Sequence, residues 1–260
     1  MTKIAGRFIW QELHTGDVAA ATAFYSEVVA WSAAKMTMGG VGYTIFKAGD
    51  DPIAAVIDSR RSADPGQQES GWVPYIGVDK VDATIEAALK LGAKVRQTAV
   101  DAPEIGRFAI LADPQGAVFG IFTPTSENEG SDCPDRSGTG HFAWRELYTR
   151  DPNAAFGFYA NTFGWQSDRI FDMGPAGSYQ LFSVEGRPAG GIMRAPPSMS
   201  QSAWNSFVQV DGIDDMEARV AAQNGQVFDG LREVPGGDCT VKCFDAQGHM
   251  FAMTGRRSHD

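Results

Sequence analysis

The sequence predicts an α+β fold built as two tandem copies of one domain, and three observations predict it. A block of residues recurs 134 positions further on, strand-like and helix-like periodicities follow the same order in each copy, and a polar stretch separates the copies. The block Gly6-Arg7-Phe8-Ile9-Trp10-Gln11-Glu12-Leu13 returns as Gly140-His141-Phe142-Ala143-Trp144-Arg145-Glu146-Leu147. The register continues without a gap through Thr15/Thr149, Asp17/Asp151, Phe24/Phe158, Tyr25/Tyr159 and Trp31/Trp165. Further on, Tyr43 and Phe46 pair with Tyr179 and Phe182, and Trp72 and Val78 with Trp204 and Val210. Asp113-Pro114-Gln115-Gly116 answers Asp245-Ala246-Gln247-Gly248. So many ordered matches define a duplicated unit. The domains are read as 1–124 and 140–257, joined by a linker at 125–139 that is rich in Ser, Glu, Asp, Gly and Pro.

Within a half, Phe8, Trp10 and Glu12 fall on one face of a strand, because side chains alternate with period two. Asp17 caps a helix whose apolar side carries Ala20, Ala21, Phe24, Tyr25 and Val28. In the second half Asp151-Pro152 gives the same start, with proline at the first helical position. Short strands follow at 43–47 and 53–58, and at 179–184 and 189–194. The pattern then restarts with a strand at 72–78, a helix at 81–91 closed by Gly92, and strands at 94–99, 108–111 and 117–122. The second half repeats it with a strand at 204–210, a helix from 216 to about 223, and strands to 254. Each half is thus βαβββ twice, with its mixed sheet expected to curl into an open barrel or cup.

A chain of 260 residues suits two domains of ordinary size, and 43% hydrophobic with 21% charged residues is a globular composition. The net charge of −10 argues against nucleic acid or an anionic membrane as partner, since both need a basic face. The N-terminus has no signal-like apolar region, and no apolar run approaches the roughly 18 residues of a membrane helix. Three cysteines, Cys133, Cys239 and Cys243, make neither a disulfide framework nor a zinc signature. A cytoplasmic protein, monomer or homodimer, acting on a small molecule is the expectation.

The run Trp-x-Glu-Leu-x-Thr-x-Asp-x-x-Ala-Ala-x-x-Phe-Tyr, ending in Ala30-Trp31 or Gly164-Trp165, resembles the first strand and helix of glyoxalase and bleomycin-resistance proteins. Asp113-Pro114-Gln115-Gly116-Ala117 is similar to the turn before that family's last strand. The resemblance covers nearly all of both halves and implies the vicinal oxygen chelate superfamily, in tandem glyoxalase-like form. It implies no particular reaction, because the fold hosts lyases, isomerases, dioxygenases and drug-binding proteins. Relatives of the glyoxalase I kind hold a divalent ion with His and Glu side chains. Carried over, the first position falls on Trp10 and Trp144, the second near Ala55 and Gly191, the third near Val73 and Asn205, and the closing one on Gly120 and Ala252. Only Asn205 offers a donor, and one amide oxygen holds no transition metal. His141, His249 and His259 are out of place for such a site, so no metal and no cofactor are expected.

Glu12 and Glu146 each lie two residues beyond an inward-facing tryptophan. Among Trp10, Tyr43 and Trp72, or Trp144, Tyr179 and Trp204, such a carboxylate would be desolvated, which is how a general acid or base for neutral pH is made. The alternative is that each glutamate satisfies backbone donors or a tyrosine hydroxyl. His14, with Tyr148 as its counterpart, is expected to be solvated or to face the helix. Arg107 could pair with a carboxylate of the first cup, whereas its counterpart is Cys239. The tryptophans, with Asn205, would line a site for an apolar or flat ligand. Neither a phosphate loop nor a Ser-His-Asp arrangement follows from spacing. Two readings stand: a binding protein for a small apolar or aromatic molecule, or a metal-independent lyase, isomerase or oxygenase-type enzyme with Glu12 or Glu146 as base. A metal-dependent glyoxalase or dioxygenase is a third.

Overall fold

The computed structural model describes residues 4–38, 41–61, 70–103, 105–125 and 138–258. Most of the expected linker, with Cys133 and His259, lies outside these residues. The first half runs β1 (Phe8–Thr15), α1 (Val18–Val29), β2 (Ser32–Met38), β3 (Val41–Ala48), β4 (Asp51–Asp58), β5 (Gly71–Gly77), α2 (Val81–Lys90), β6 (Lys94–Ala102), β7 (Gly106–Ala112) and β8 (Val118–Pro124). The second half repeats it as β9 (Phe142–Thr149), α3 (Pro152–Phe163), β10 (Gln166–Asp172), β11 (Ser178–Val184), β12 (Arg187–Arg194), β13 (Ala203–Gln209), α4 (Met216–Ala222), β14 (Gln226–Glu233), β15 (Cys239–Phe244) and β16 (Met250–Gly255). The βαβββ order is therefore present four times. Each half forms an open eight-stranded mixed sheet, in the orders β2-β3-β4-β1-β5-β8-β7-β6 and β10-β11-β12-β9-β13-β16-β15-β14. The parallel pairs are β1 with β4, β5 with β8, β9 with β12, and β13 with β16.

The helix starts come from the residues that the sequence marks. Asp17 accepts a hydrogen bond from the Ala20 amide at 2.9 Å, and Asp151 from the Ala154 amide at 3.1 Å. β2 and β10 add to the expected strands. Gln166–Asp172 is almost wholly exposed, so this sheet-edge strand carries no alternation of apolar and polar residues. Among the described residues no helix is long and apolar enough to cross a membrane.

The chain's contacts gather into two compact units that each draw on both halves. One comprises residues 1–10, 73–134 and 145–204, and the other 11–72, 135–144 and 205–260. In the first, Tyr159, Trp165, Phe182 and Trp204 from the second half pack with Ile76, Leu111 and Phe119 from the first. In the second, Tyr25, Trp31, Phe46 and Trp72 pack with Val208, Val220, Val241 and Phe251. The Asp-x-Gln-Gly turns hold each unit together. Gln115 donates to the Asp151 carbonyl and accepts from the Asp151 amide, both at 2.8 Å. Gln247 accepts from the Thr15 hydroxyl at 2.7 Å and the Asp17 amide at 3.1 Å. A glutamine in one half's turn thereby satisfies the free end of the other half's helix.

Candidate functional site

β9 and β1 are extended, so Glu146 and Tyr148, or Glu12 and His14, two residues apart, project from the same side of their strand. Glu146, 8% exposed, is the centre of a polar cluster in the first compact unit. Tyr148 donates its hydroxyl to Oε2 at 2.8 Å and Tyr179 donates to Oε1 at 3.0 Å. β9 pairs Glu146 with Gly191, and a Cβ on Gly191 would fall inside the Tyr179 ring. Glycine there lets the phenol lie flat against β12 and reach the carboxylate. In the second unit the equivalent glutamate takes a different partner. The His14 imidazole meets Glu12 at 3.2 Å, and β1 pairs Glu12 with Ala55 rather than glycine. His14 is therefore buried beside Glu12, against the expectation of a solvated ring or one facing the helix. Partial burial, followed by the charge of Glu12, pushes the Tyr43 hydroxyl above its usual range.

Other candidate residues are placed elsewhere. Trp72 and Trp204, expected to line cups, are buried in the cores of their units. The Trp72 indole donates to the Tyr25 oxygen at 2.8 Å, and the Trp204 indole to Tyr159 at 3.0 Å. They take the strand face opposite to Val73 and Asn205. Phe8 packs 5.4 Å from both Trp165 and Trp204. Trp10 packs instead with Val73, Tyr75 and Ile110. Trp144 is half-buried on β9. Arg107 turns to the surface, where it forks onto Asp82 at 3.0 Å and reaches Asp101 at 2.8 Å beside an open groove of about 600 Å³. Its carboxylate partners lie on α2 and β6, close to β7 and in solvent, where a guanidinium keeps its hydration.

Asn205 is fully buried on β13, and neither its amide nitrogen nor its oxygen meets a hydrogen-bonding partner among the described residues. Such groups cost about 1–3 kcal/mol and are few in native proteins. A divalent ion is not what these positions fit. The carried-over residues are aromatic, aliphatic or glycine apart from Asn205, and a Cβ at Gly120 would fall within the Tyr75 ring. No three His, Cys, Asp or Glu side chains gather into a metal-holding group among the described residues.

Two further networks escape sequence reasoning because their members are distant along the chain. In one unit Trp204 donates to Tyr159, which donates to Asp113 Oδ2 at 3.2 Å. In the other Trp72 donates to Tyr25, which donates to Asp245 Oδ2 at 3.1 Å. Burial first, and then the neighbouring aspartate, pushes both phenols well above the usual tyrosine range. Each therefore remains a donor. Burial also raises the Asp113 carboxyl, against the opposing amides of Ala117 and Gln115 and the Tyr159 hydroxyl. A group raised on folding contributes stability below its unfolded pKa and loses that contribution as the pH climbs through the folded value. Wild type should therefore lose stability relative to Asp113→Asn as pH rises from about 3.9, the ordinary aspartate value. Urea midpoints measured against pH for both proteins check this, and parallel profiles through that window would contradict it.

Tandem βαβββ units in open mixed sheets, each carrying a Trp-x-Glu strand, define the glyoxalase-like class of fold. The chain belongs to that superfamily. Residues 11–122 match the glyoxalase-like domain family, and residues 138–253 match the glyoxalase/bleomycin resistance protein/dioxygenase superfamily. It is 27% identical over 246 residues to the Mycobacterium tuberculosis protein named "Putative glyoxylase CFP32", covering 94% of this chain and 92% of that one. It is 34% identical over 176 residues to the anthracycline biosynthesis protein DauV of Streptomyces sp. strain C5, with 63% of each chain covered. The fold is similar to the Mn(II)-bound glyoxalase of Novosphingobium aromaticivorans, with a TM-score of 0.63, 17% identity, and 96% of this chain and 82% of that chain covered. It is also similar to the 2,3-dioxygenase LapB of Pseudomonas sp. KL28, with a TM-score of 0.63, 12% identity, and coverage of 100% and 95%.

Proposed function

We propose that this glyoxalase-like protein binds a small molecule with a flat apolar or aromatic body and a hydrogen-bonding edge. The polar anchor is Glu146 with its two tyrosines. The carrying observation is that a nearly buried carboxylate accepts from two phenol hydroxyls, one on its own strand and one on β11 of the same sheet, an arrangement made without any ligand. Aromatic rings beside a small number of placed polar groups are the usual make-up of a ligand site. Glu12 with His14 and Tyr43 is the counterpart in the other unit. The name of the anthracycline biosynthesis relative supports a polycyclic aromatic ligand class. No step of this reading passes through a metal.

The second reading makes Glu146 a general base, and its low exposure favours it. One set of variants separates the two. Titration of an anthracycline, followed by tryptophan fluorescence and calorimetry, is expected to saturate. Tyr179→Phe should weaken binding about tenfold, since the ligand's polar edge loses a hydrogen-bonding partner that contributes about 1–1.5 kcal/mol. Glu146→Gln should bind within a few-fold of wild type under both readings, and loses turnover only if Glu146 takes a proton. Affinity that is identical in wild type, Tyr179→Phe and Glu146→Ala would sink the binding reading.

A further inference from the structure

The second compact unit contains a serine–histidine–aspartate relay, and its members come from β5's approach and the last turn. Ser70 Oγ lies 3.1 Å from His249 Nε2, and His249 Nδ1 lies 3.0 Å from Asp245 Oδ2. The proton positions follow from chemistry. An ionised carboxylate only accepts, so Nδ1 carries the hydrogen, Nε2 is bare, and the Ser70 hydroxyl donates to it. Asp245 is itself held in place: its Oδ1 accepts from the amides of Gln247 at 2.8 Å and His249 at 2.9 Å, and its Oδ2 also accepts from Tyr25. Asp245 and His249 are 3% and 6% exposed, while Ser70 is exposed. A buried orienting acid, a nearly buried base and an accessible hydroxyl are the components of an activated serine.

The duplication supplies the control. In the first unit Asp113 builds the same turn through the amides of Gln115 and Ala117 and accepts from Tyr159. The place of His249 is taken there by Ala117, and Ser202, the counterpart of Ser70, is buried and donates to Thr149 at 3.1 Å. The turn thus forms without a histidine. His249 is an addition to it, and the residue it adds contact with is Ser70.

We propose that Ser70 is a nucleophile for small carboxylic esters with a good leaving group, aryl esters being the class that asks least of oxyanion stabilisation. Ser70 Oγ forms a bond to the acyl carbon as its proton passes to His249 Nε2, and Asp245 stabilises the imidazolium. The bond from acyl carbon to aryloxy oxygen breaks, and the phenol leaves with the proton from Nε2. Water then gives a proton to Nε2 as its oxygen bonds to the acyl carbon; the bond from acyl carbon to Oγ breaks, Oγ takes the proton back from Nε2, and the acid leaves with Ser70 and His249 restored. This activity is separate from the ligand site at Glu146, and either can fail alone.

The test is p-nitrophenyl acetate hydrolysis by the full chain, with an aryl fluorophosphonate as a label. Wild type should release p-nitrophenolate at least a hundredfold faster than Ser70→Ala, and peptide mapping should place the phosphonyl group on Ser70. His249→Ala, which installs the residue that the first unit carries, should lose both signals and keep its fold by circular dichroism. If His249→Ala fails to fold, Ser70→Ala decides alone, since the exposed hydroxyl has no packing role. Equal hydrolysis and labelling in wild type and Ser70→Ala would overturn the proposal.

Discussion

Replacing Trp165 with alanine is expected to destabilise the protein by about 4–5 kcal/mol. At roughly 2–4 °C per kcal/mol for a protein of this size, thermal melting should fall by about 10 °C or more. The indole is 3% exposed, stacks on Phe182 at 4.2 Å between ring centres, and lies 5.0 Å from Tyr159. Its Nε1 also donates to the Gly6 carbonyl at 2.8 Å. The substitution therefore leaves a large cavity and an orphaned buried carbonyl together. Gly6 has φ +77°, a left-handed conformation, and a Cβ there would meet the Phe163 carbonyl oxygen at 2.9 Å. Glycine is what lets its carbonyl sit beneath the indole. Trp31 repeats the device by donating to the Gly140 carbonyl at 2.8 Å, so Trp31→Ala should cost a similar amount. A loss below about 1 kcal/mol in either variant, from calorimetric or urea unfolding, would falsify this account of what joins the halves.

That device shows how far the sequence alone reaches. The Gly6 and Trp31 positions and their copies stand out as repeats, because a duplication is visible in residue identity. Which copy's tryptophan meets which copy's glycine is not visible: Trp165 reaches back to Gly6, and Trp31 forward to Gly140. Pairings across more than a hundred residues leave no periodic trace. Helix starts at Asp17 and Asp151 are legible because capping is local. The facing of Trp72 was not, since every residue of Gly71–Gly77 is buried and a strand covered on both faces loses the alternation that assigns sides. The candidate site divides in the same way. Glu146 is legible from the phase of its strand, two residues beyond Trp144, and Tyr179 from its repeat partner Tyr43, whereas Tyr148, legible only as the counterpart of His14, is the second donor to the carboxylate. His249 is legible in the sequence only as a histidine out of place for a metal site, and its partner Ser70 is a distant, ordinary serine.

If Glu146 and its tyrosines hold the ligand as proposed, Gly191→Ala is expected to weaken binding with only a moderate loss of stability. Carrying the resemblance over places a metal ligand near Gly191, yet the space beside its Cα is filled by the Tyr179 ring and hydroxyl. A methyl group there cannot coexist with that ring. The ring is the free end of a partly exposed side chain, so it swings out in preference to the backbone moving, at about 1–3 kcal/mol. The hydroxyl then leaves Glu146, and ligand affinity should fall about tenfold, as in Tyr179→Phe. The first half already contains the outcome. Ala55 stands opposite Glu12 in the same register, and there the carboxylate takes His14, while burial and then the Glu12 charge raise the Tyr43 hydroxyl above its usual range. A double-mutant cycle isolates the cause. If Gly191 acts through the phenol, Gly191→Ala with Tyr179→Phe should bind no more weakly than either single variant. Additive losses would place the effect of Gly191 elsewhere, and unchanged affinity in Gly191→Ala would remove Tyr179 from the site. The reverse change, Ala55→Gly, should let Tyr43 settle against its strand and compete with His14 for Glu12, which the NMR chemical shifts of the His14 ring at one pH would register.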